Sequence, residues 1–547
     1  MNRREVAQLL MLAPFSSVAA TLPSPPTNLT VDGKTANISG SPNIAALPLA
    51  DNSIGDWNNF PGPAWATNSP WTDITGAVLR RLTSPTGVGS DSLASSYCGF
   101  EYASNGPLIS RAFGTNADTY HMLLWVTGGP SSAYVFDYQR GVGVLAGSLF
   151  VLPIGQQESL CSAFSMYPGD SPHILYISDR GSPSAIHRYN CQTRAYEPNA
   201  VFSGQSASVP AGGNTSGWLT MNWSGSHLVW MSPYASPTTI SSLDIASGVR
   251  TDHAAGSINE IKVQKGATKI VTYVAGGSGG RRFWFVDTNV VTAAVSGNST
   301  QTHSNCGESN YYIFNANDGN MPLNVYTPGS APATDGGAWT GTETNLYGSG
   351  GGTQTFDSDH HPCMAWDQTG SGANEWYCIG VATTDAGQSD KTSAAGWTLY
   401  SGNVYRTKVN YSTPYGAASI GVSAVITKTG SNYTGKLTMA ASLAAIAAGQ
   451  FWWDGTYCYA WMPTGVNPTG LVRLVAQPPL GESVGYVRAT GTERRRLCFT
   501  YRNDNVYVYG QDCYSNWSPD GKIVAFASNF GVPGGRTDLV CAEVPLA

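Results

Sequence analysis

The sequence predicts an all-β fold, and within that class a single seven-bladed β-propeller with a small inserted β-rich module. Short apolar strands alternate with turn residues over most of the 547 residues, and the periodicity of amphipathic helices is almost absent. A strand–turn–strand pattern returns about every 40–60 residues, which is the spacing of propeller blades. One blade cannot bury both of its faces, so the repeats must pack side by side and close into a ring.

The last repeat, "SNWSPDGKIVAFASN" from Ser515 to Asn529, indicates how the ring closes. Ser-Pro-Asp-Gly is a tight-turn sequence, because Pro519 presets φ and Gly521 closes the turn. Earlier repeats carry "NWSGSHLVWMS" and "VQKGATKIVTYV" at the same place. The chain therefore finishes on part of a blade, and we predict that residues 76–84, "GAVLRRLTS", add its outer strand.

Four segments can be distinguished along the chain. Residues 1–20 combine two arginines, a short apolar run and small residues, which predicts a secretory signal peptide. Residues 21–75 indicate a linker and then an aromatic arm, which we expect to lie over the main fold. The propeller spans 76–547. Residues 411–480 interrupt blade six and predict the β-rich module, in which "MAASLAAIAAGQ" is the one helix-like stretch.

Composition restricts the partners and the compartment. Only 12% of the residues are charged and the net charge is −6, which argues against nucleic acid because its binding needs a dense basic surface. No run of 18 apolar residues follows the leader, so no membrane span is predicted. Ten cysteines suit an oxidising, extracellular compartment. Candidate disulfides are Cys161/Cys191, Cys363/Cys378 and Cys498/Cys513.

The closing hairpin also carries a resemblance to known proteins. "SPDGKIVAFASN" with the following "RTDLVCAEVP" resembles the TolB-like propeller repeat. The array from about 76 to 547 resembles seven-bladed propellers of the oligogalacturonate-lyase type. This resemblance implies a polysaccharide lyase that cleaves uronate-containing glycans by β-elimination, with a divalent metal such as Mn²⁺ or Ca²⁺ held by His303, His360 and His361.

The placement of the histidines supplies a candidate site. His253, His303 and the pair His360–His361 lie where one blade ends and the next begins, so we expect them near the central channel. β-Elimination needs a cation that neutralises the uronate carboxylate and a base that removes the adjacent proton. The predicted catalytic residues are His303, His360, His361, Arg281 and Tyr311, and the predicted substrate-binding residues are Arg282, Glu308, Trp452 and Trp453.

Two alternatives remain open at this point. The aromatic residues of "QFWWDGTYCYAWMP" either stack on sugar rings or form the core of the module, and strand alternation suggests that each face of the sheet does one of these jobs. The whole chain is either a lyase or a non-catalytic extracellular or cell-surface propeller that binds glycans or proteins in a structural assembly. A glycoside hydrolase would instead need two facing carboxylates.

Overall fold

The computed structural model describes the chain in segments. They are residues 28–31, 34–37, 42–49, 60–93, 108–126, 132–155, 162–178, 185–203, 217–222, 225–232, 238–263, 269–275, 280–295, 304–306, 312–315, 323–347, 357–358, 363–364, 376–382, 396–408, 421–429, 432–477, 483–488, 493–501, 515–530 and 537–547. The predicted signal peptide, residues 1–20, lies outside these segments. None of the helices in the described segments is long and apolar enough to cross a membrane.

Seven antiparallel sheets follow one another in the described chain, and we number them as blades. Blade 1 holds Leu108–Ile109, Thr119–Val126, Ser132–Gln139, Gly143–Val144 and Phe150–Gly155, and blade 2 holds Ser162–Phe164, Ile174–Ser178, Ala185–Asn190, Ala195–Tyr196 and Phe202–Ser203. Blade 3 holds Gly217–Met221, His227–Ser232, Thr239–Asp244 and Arg250–Ala254, and blade 4 holds Ile258–Val263, Ile270–Ala275, Arg281–Phe285 and Val290–Val291.

The remaining three sheets complete the series. Blade 5 holds Ser304–Cys306, Tyr312–Asn315, Leu323–Tyr326 and Glu343–Tyr347. Blade 6 holds Asp357–Ser358, Cys363–Met364, Trp376–Ala382, Ser483–Arg488 and Arg494–Phe499. Blade 7 holds Pro70–Thr72, Val78–Arg81, Asn516–Trp517, Ile523–Ser528 and Asp538–Glu543, so it combines strands from the two ends of the described chain.

The innermost strands of the blades form a closed ring. In blades 1 to 5 the innermost strand is the first strand of the blade in chain order, in blade 6 it is Cys363–Met364, and in blade 7 it is Asn516–Trp517. Each such strand contacts the corresponding strand of the next blade, and Asn516–Trp517 of blade 7 contacts Leu108–Ile109 of blade 1. The all-β propeller class is therefore confirmed. The exact number of blades stays a prediction, which these seven sheets favour.

The ring closes as the sequence predicts. Val78–Arg81 pairs antiparallel with Asp538–Glu543, so the segment 76–84 supplies an outer strand to the C-terminal blade. Two ion pairs cross this seam: Arg81 lies 2.6 Å from Asp538, and Arg80 lies 3.4 Å from Glu543. The segment 76–84 and the C-terminal strand are therefore joined by backbone and side-chain bonds.

The Ser-Pro-Asp-Gly turn also links neighbouring blades. The Gly521 amide donates to the Ser518 carbonyl at 2.8 Å, and φ at Gly521 is +72°, a region that favours glycine. Asp520 accepts a hydrogen bond from the Tyr120 hydroxyl of blade 1 at 2.9 Å. The turn therefore closes its own hairpin and holds the next blade in register.

The inserted module is a seven-stranded sheet that starts earlier than predicted. Its strands in spatial order are Thr398–Ser401, Val404–Lys408, Tyr457–Trp461, Gln450–Trp453, Asn432–Met439, Gly421–Thr429 and Val472–Gln477. Val404–Lys408 pairs with Tyr457–Trp461, so the sheet begins at Thr398 and not near residue 411. The helix-like stretch contains only the 3₁₀ turn Leu443–Ala445, because small apolar residues without a buried stripe do not hold a longer helix against the sheet.

Smaller elements surround the ring. They are the hairpin Asn28–Val31 with Lys34–Asn37, the 3₁₀ turns Ile44–Ala46 and Gly62–Ala64, and the sheet Thr83–Ser84, Gly87–Val88 and Asp91–Ser92. The aromatic arm packs on blade 6 and blade 7, where the ring of Phe60 stacks on Tyr501 at 4.0 Å between centroids. Trp65 and Tyr501 belong to the same buried cluster.

The disulfides predicted for two described cysteines are wrong. Cys191 and Cys498 are free and buried, as are Cys458 and Cys541. Cys191 packs in the core between blades 1 and 2 and Cys498 in the core between blades 6 and 7. Both thiols therefore serve as small apolar core groups. Cys161 and Cys513, their predicted partners, lie outside the described segments, while the backbone of Cys363 lies opposite that of Cys378.

Candidate functional site

The predicted catalytic group falls mainly outside the described residues. His303, His360, His361, Tyr311 and Glu308 all lie there. The described members of the prediction are two pairs, Arg281 with Arg282 and Trp452 with Trp453. Each pair occupies adjacent positions on one strand, so its members point to opposite faces of a sheet.

Arg281 and Arg282 do not converge on one site. Arg281 is buried on the face of blade 4 that carries Phe283, which packs towards blade 5. Arg282 lies on the face that carries Trp284 and Tyr273, which pack against blade 3. Arg282 therefore shares its face with Tyr273, an ionisable side chain suited to the predicted chemistry, and its buried Nε atom has no hydrogen-bond partner among the described residues.

His253 reaches Arg282 from the neighbouring blade. It lies on Arg250–Ala254, the outermost strand of blade 3, so the expectation that it approaches the channel is wrong. Its ring centroid is 6.5 Å from that of Tyr273 and 5.9 Å from that of Trp284. His253, Tyr273 and Arg282 thus form an interblade group between blades 3 and 4. Tyr273 was missed from the sequence because its strand shows only a core pattern.

Burial shifts the pKa values of His253 and Tyr273 in opposite directions. Desolvation lowers the pKa of His253, with the Asp335 charge acting against it and the Arg282 charge with it. Desolvation also raises the pKa of Tyr273 to about 12, although Arg282 opposes that shift. At neutral pH both rings are therefore neutral, the imidazole without its second proton and the phenol with its hydrogen. Both rings are more than nine-tenths covered.

The described residues do not fit a metal site. No three histidine, cysteine, aspartate or glutamate side chains among them are grouped closely enough to hold an ion. The ligands that the resemblance implies, His303, His360 and His361, lie outside that part of the chain. We therefore derive no step through a metal.

The aromatic residues of the module divide between the two faces of its sheet. Phe451 is buried in the module core, and Trp453 packs against the same cluster. Trp452 alternates with them and so lies on the other face, opposite Tyr459 of the next strand. Tyr457 and Trp461 share that face by the same alternation, and Tyr400 contacts Tyr459 with ring centroids 5.1 Å apart. We name this set, Tyr400, Trp452, Tyr457, Tyr459 and Trp461, the aromatic face.

The rings of the aromatic face differ in solvent exposure. Tyr400 is 46% exposed, and Trp452, Tyr457 and Trp461 are half-buried. Tyr459 is covered, and its hydroxyl donates to Asp454 at 2.9 Å. Neighbouring strands of a sheet lie about 4.8 Å apart, so these rings extend across four adjacent strands over roughly 15 Å.

The positively charged guanidinium of Arg406 lies among the rings of the aromatic face. Arg406 lies opposite Tyr459 in the sheet, and its guanidinium carbon is 5.3 Å from the Tyr400 ring and 4.9 Å from the Tyr457 ring. Burial alone would raise the pKa of Asp454, but backbone N–H groups, the Tyr459 hydroxyl and Arg406 together hold that pKa below its usual value. Asp454 is therefore a carboxylate that holds the Tyr459 hydroxyl, with which Arg406 also interacts. Sequence reasoning missed Arg406 because its strand was assigned to a blade.

Comparisons with known proteins find structural matches only, at low sequence identity. No protein-family model and no curated protein matches the chain. An oligogalacturonate lyase from Vibrio parahaemolyticus aligns with 87% of this chain and 96% of its own at 10% identity and a TM-score of 0.42. An oligogalacturonate lyase in complex with manganese aligns with 88% and 97% at 12% identity and a TM-score of 0.34. TolB from Acinetobacter baumannii aligns with 49% and 62% at 11% identity and a TM-score of 0.29.

Both kinds of protein named in the sequence resemblance, TolB and oligogalacturonate lyase, are among the structures that this comparison finds. The ring of sheets itself defines the class of this protein, a β-propeller with an inserted β-module.

Proposed function

We propose that the protein is an exported propeller that binds an extracellular polysaccharide through the aromatic face of its inserted module. The observation that carries this proposal is the segregation of aromatic side chains. One face of the sheet packs into the module core, whereas the other leaves Tyr400, Trp452, Tyr457 and Trp461 partly open. A core needs only one face, so the second set has a different purpose.

Open tyrosine and tryptophan rings suit sugars for a simple reason. A pyranose has an apolar face of C–H groups and a rim of hydroxyls, and these two rings combine an apolar surface with a polar tip. Large exposed apolar surfaces on a soluble protein commonly mark a binding site. Export is supported by the leader-like residues 1–20 and the low charge content of 12%.

Binding is tested with the full-length protein. Affinity electrophoresis through gels that contain polygalacturonate, alginate or a neutral galactan measures retardation by each glycan. We expect retardation by at least one of them and its loss in Tyr400→Ala. The matched control is Tyr196→Ala, because Tyr196 is 44% exposed on an outer strand of blade 2. Unretarded migration of the intact protein in every gel contradicts the proposal.

A polysaccharide lyase that acts on uronate-containing glycans is the second candidate function. It is supported by the interblade group, in which Arg282 supplies a cation for the uronate carboxylate, His253 a neutral base and Tyr273 a proton donor. The base removes the proton next to the carboxylate, and the electron pair forms the double bond as the glycosidic oxygen leaves with a proton. Glycan must displace the covering residues to reach these rings.

Absorbance near 235 nm tests this candidate. Uronate polymers are incubated with the protein, with and without EDTA and added Mn²⁺ or Ca²⁺. A rise reports the unsaturated product, and loss of the rise in Tyr273→Phe and Arg282→Met assigns the interblade group. A rise that these variants leave unchanged places the chemistry elsewhere in the chain, and a flat trace with retained glycan binding favours the non-catalytic alternative.

A further inference from the structure

We infer that the aromatic face selects acidic glycans, and that Arg406 is the residue that makes the selection. This inference rests on the proposed glycan-binding function and names the class of ligand. The face carries two positive side chains, Arg406 and the exposed Lys408, and one carboxylate, Asp454. Among its described residues the charge is therefore positive, although the whole chain has a net charge of −6.

Arg406 occupies the middle of the face. The sheet places it on the strand between Tyr400 and Tyr459, and Trp452 lies on the strand beyond Tyr459. A glycan chain that crosses the strands therefore meets rings on both sides of one guanidinium. The distance from Arg406 to Trp452 is two strand spacings, or about 10 Å.

The guanidinium is held ready for a carboxylate. Stacking on the Tyr400 and Tyr457 rings restricts its rotation, and the Tyr459 hydroxyl and the Asp454 charge also interact with it. A planar guanidinium presents a fork of N–H groups that matches a carboxylate, and a held side chain loses less entropy on binding. A sugar that stacks on the rings and carries a carboxylate thus gains an interaction that a neutral sugar lacks.

Asp454 has a second consequence for selection. Its oxygens already accept bonds from the Thr456 and Tyr457 amides and from the Tyr459 hydroxyl. These donors use most of its accepting capacity, so it offers little to a neutral sugar hydroxyl. The Arg406 guanidinium and the Trp452 indole N–H can only donate, and donors favour anions.

The experiment compares one polymer in two charge states. Polygalacturonate and its fully methyl-esterified form share the same ring, but only the first carries carboxylates. We expect the intact protein to bind the acid form about tenfold more tightly, which is the size of one charge-assisted hydrogen bond. Arg406→Met should abolish this difference between the acid form and the ester. Raised salt should reduce the difference as well.

A control and the opposing outcomes separate the two proposals. Arg250→Met is the matched control, because Arg250 also stacks on a ring, that of Trp230 at 5.4 Å, but on blade 3. If Arg406→Met keeps the preference for the acid form, or the intact protein binds both forms equally, the inference is overturned while glycan binding stands. If the intact protein binds neither form nor any other glycan of the panel, the proposed function itself is wrong.

Discussion

The Nε2 atom of His121 lies 2.8 Å from the Nδ1 atom of His173, and this contact joins blade 1 to blade 2. The other ring nitrogen of His121 lies 2.6 Å from a carboxylate oxygen of Asp137. An imidazole nitrogen that faces a carboxylate donates, so His121 Nδ1 carries hydrogen and donates to Asp137. Phe113 packs against both imidazoles with centroids 4.4 and 4.6 Å away. The contact corresponds to the Tyr120–Asp520 bond between blades 7 and 1.

Removal of the His121–His173 contact should weaken the packing between blades 1 and 2. His121→Ala leaves Asp137 and His173 without the imidazole that joins them, and we expect a loss of about 1–3 kcal/mol in the free energy of unfolding. Urea denaturation followed by tryptophan fluorescence measures it. His187→Ala, at a half-buried histidine of blade 2, is the control and should cost less. Equal losses of unfolding free energy in His121→Ala and His187→Ala would show that the His121–His173 contact does not stabilise the protein more than an ordinary half-buried histidine does.

The lowered pKa of His253 predicts a loss of stability in acid. Its pKa is held below the ordinary value of about 6.5 by burial in the folded chain. Below pH 6.5 the unfolded chain therefore binds a proton that the folded chain resists. The stability that neutral His253 contributes is fully present above pH 6.5 and decreases as the pH falls through the lowered pKa of the folded state.

The His253→Gln variant isolates this contribution, because glutamine does not titrate. Urea denaturation of both proteins between pH 8 and pH 5 should give a shallower decline for the variant. His187→Gln should retain the decline of the intact protein. Parallel curves for intact protein and His253→Gln would contradict the assignment.

The seam that closes the ring should be sensitive to Asp538. The side chains of Arg81 and Asp538 are only 6% and 1% exposed, so Asp538→Ala leaves a buried positive charge with less compensation. We expect a loss of about 3–5 kcal/mol. Asp287→Ala at the open Lys269–Asp287 pair should cost about 0–1 kcal/mol. Thermal unfolding of both variants makes the comparison, and similar melting temperatures would argue against a closure held by this pair.

Substitution of the two adjacent tryptophans of the module should have different effects, on stability for Trp453 and on glycan binding for Trp452. Trp453→Ala removes a ring from the module core and should lower stability by about 2–4 kcal/mol. Trp452→Ala should change stability much less and should weaken glycan retardation in the gel. Unfolding and electrophoresis measured on both variants decide the matter. Weaker retardation in Trp453→Ala at full stability would place the glycan on the other face.

The free cysteines should be unreactive in the folded protein. Burial raises the pKa of the Cys191 thiol well above its ordinary value, and the same holds for Cys458, Cys498 and Cys541. Thiolate, not thiol, is the nucleophile. Mass spectrometry after brief treatment with iodoacetamide should find these four unlabelled until urea is added. Labelling of Cys191 in the native protein would contradict its place in the core between blades 1 and 2.

Local sequence patterns were sufficient to predict the class of fold. The Ser-Pro-Asp-Gly turn and the strand that follows it predicted an all-β propeller, and "GAVLRRLTS" was identified as the closing strand because apolar residues with no local partner need an edge to pair with. The hairpin through Asp454 and Gly455 was equally visible, since Asp-Gly between two aromatic strands specifies a turn.

Only the tertiary structure decided which side chains meet. Arg281 and Arg282 are neighbours in sequence, yet strand alternation sends them to different interblade cores, and His253 meets Arg282 only because two blades pack together. Arg406 joins the aromatic face because its strand pairs with Tyr457–Trp461, about fifty residues further along the chain. Pairing between strands distant in sequence depends on the whole ring and sheet, so sequence patterns determined the repeats while packing determined the candidate sites.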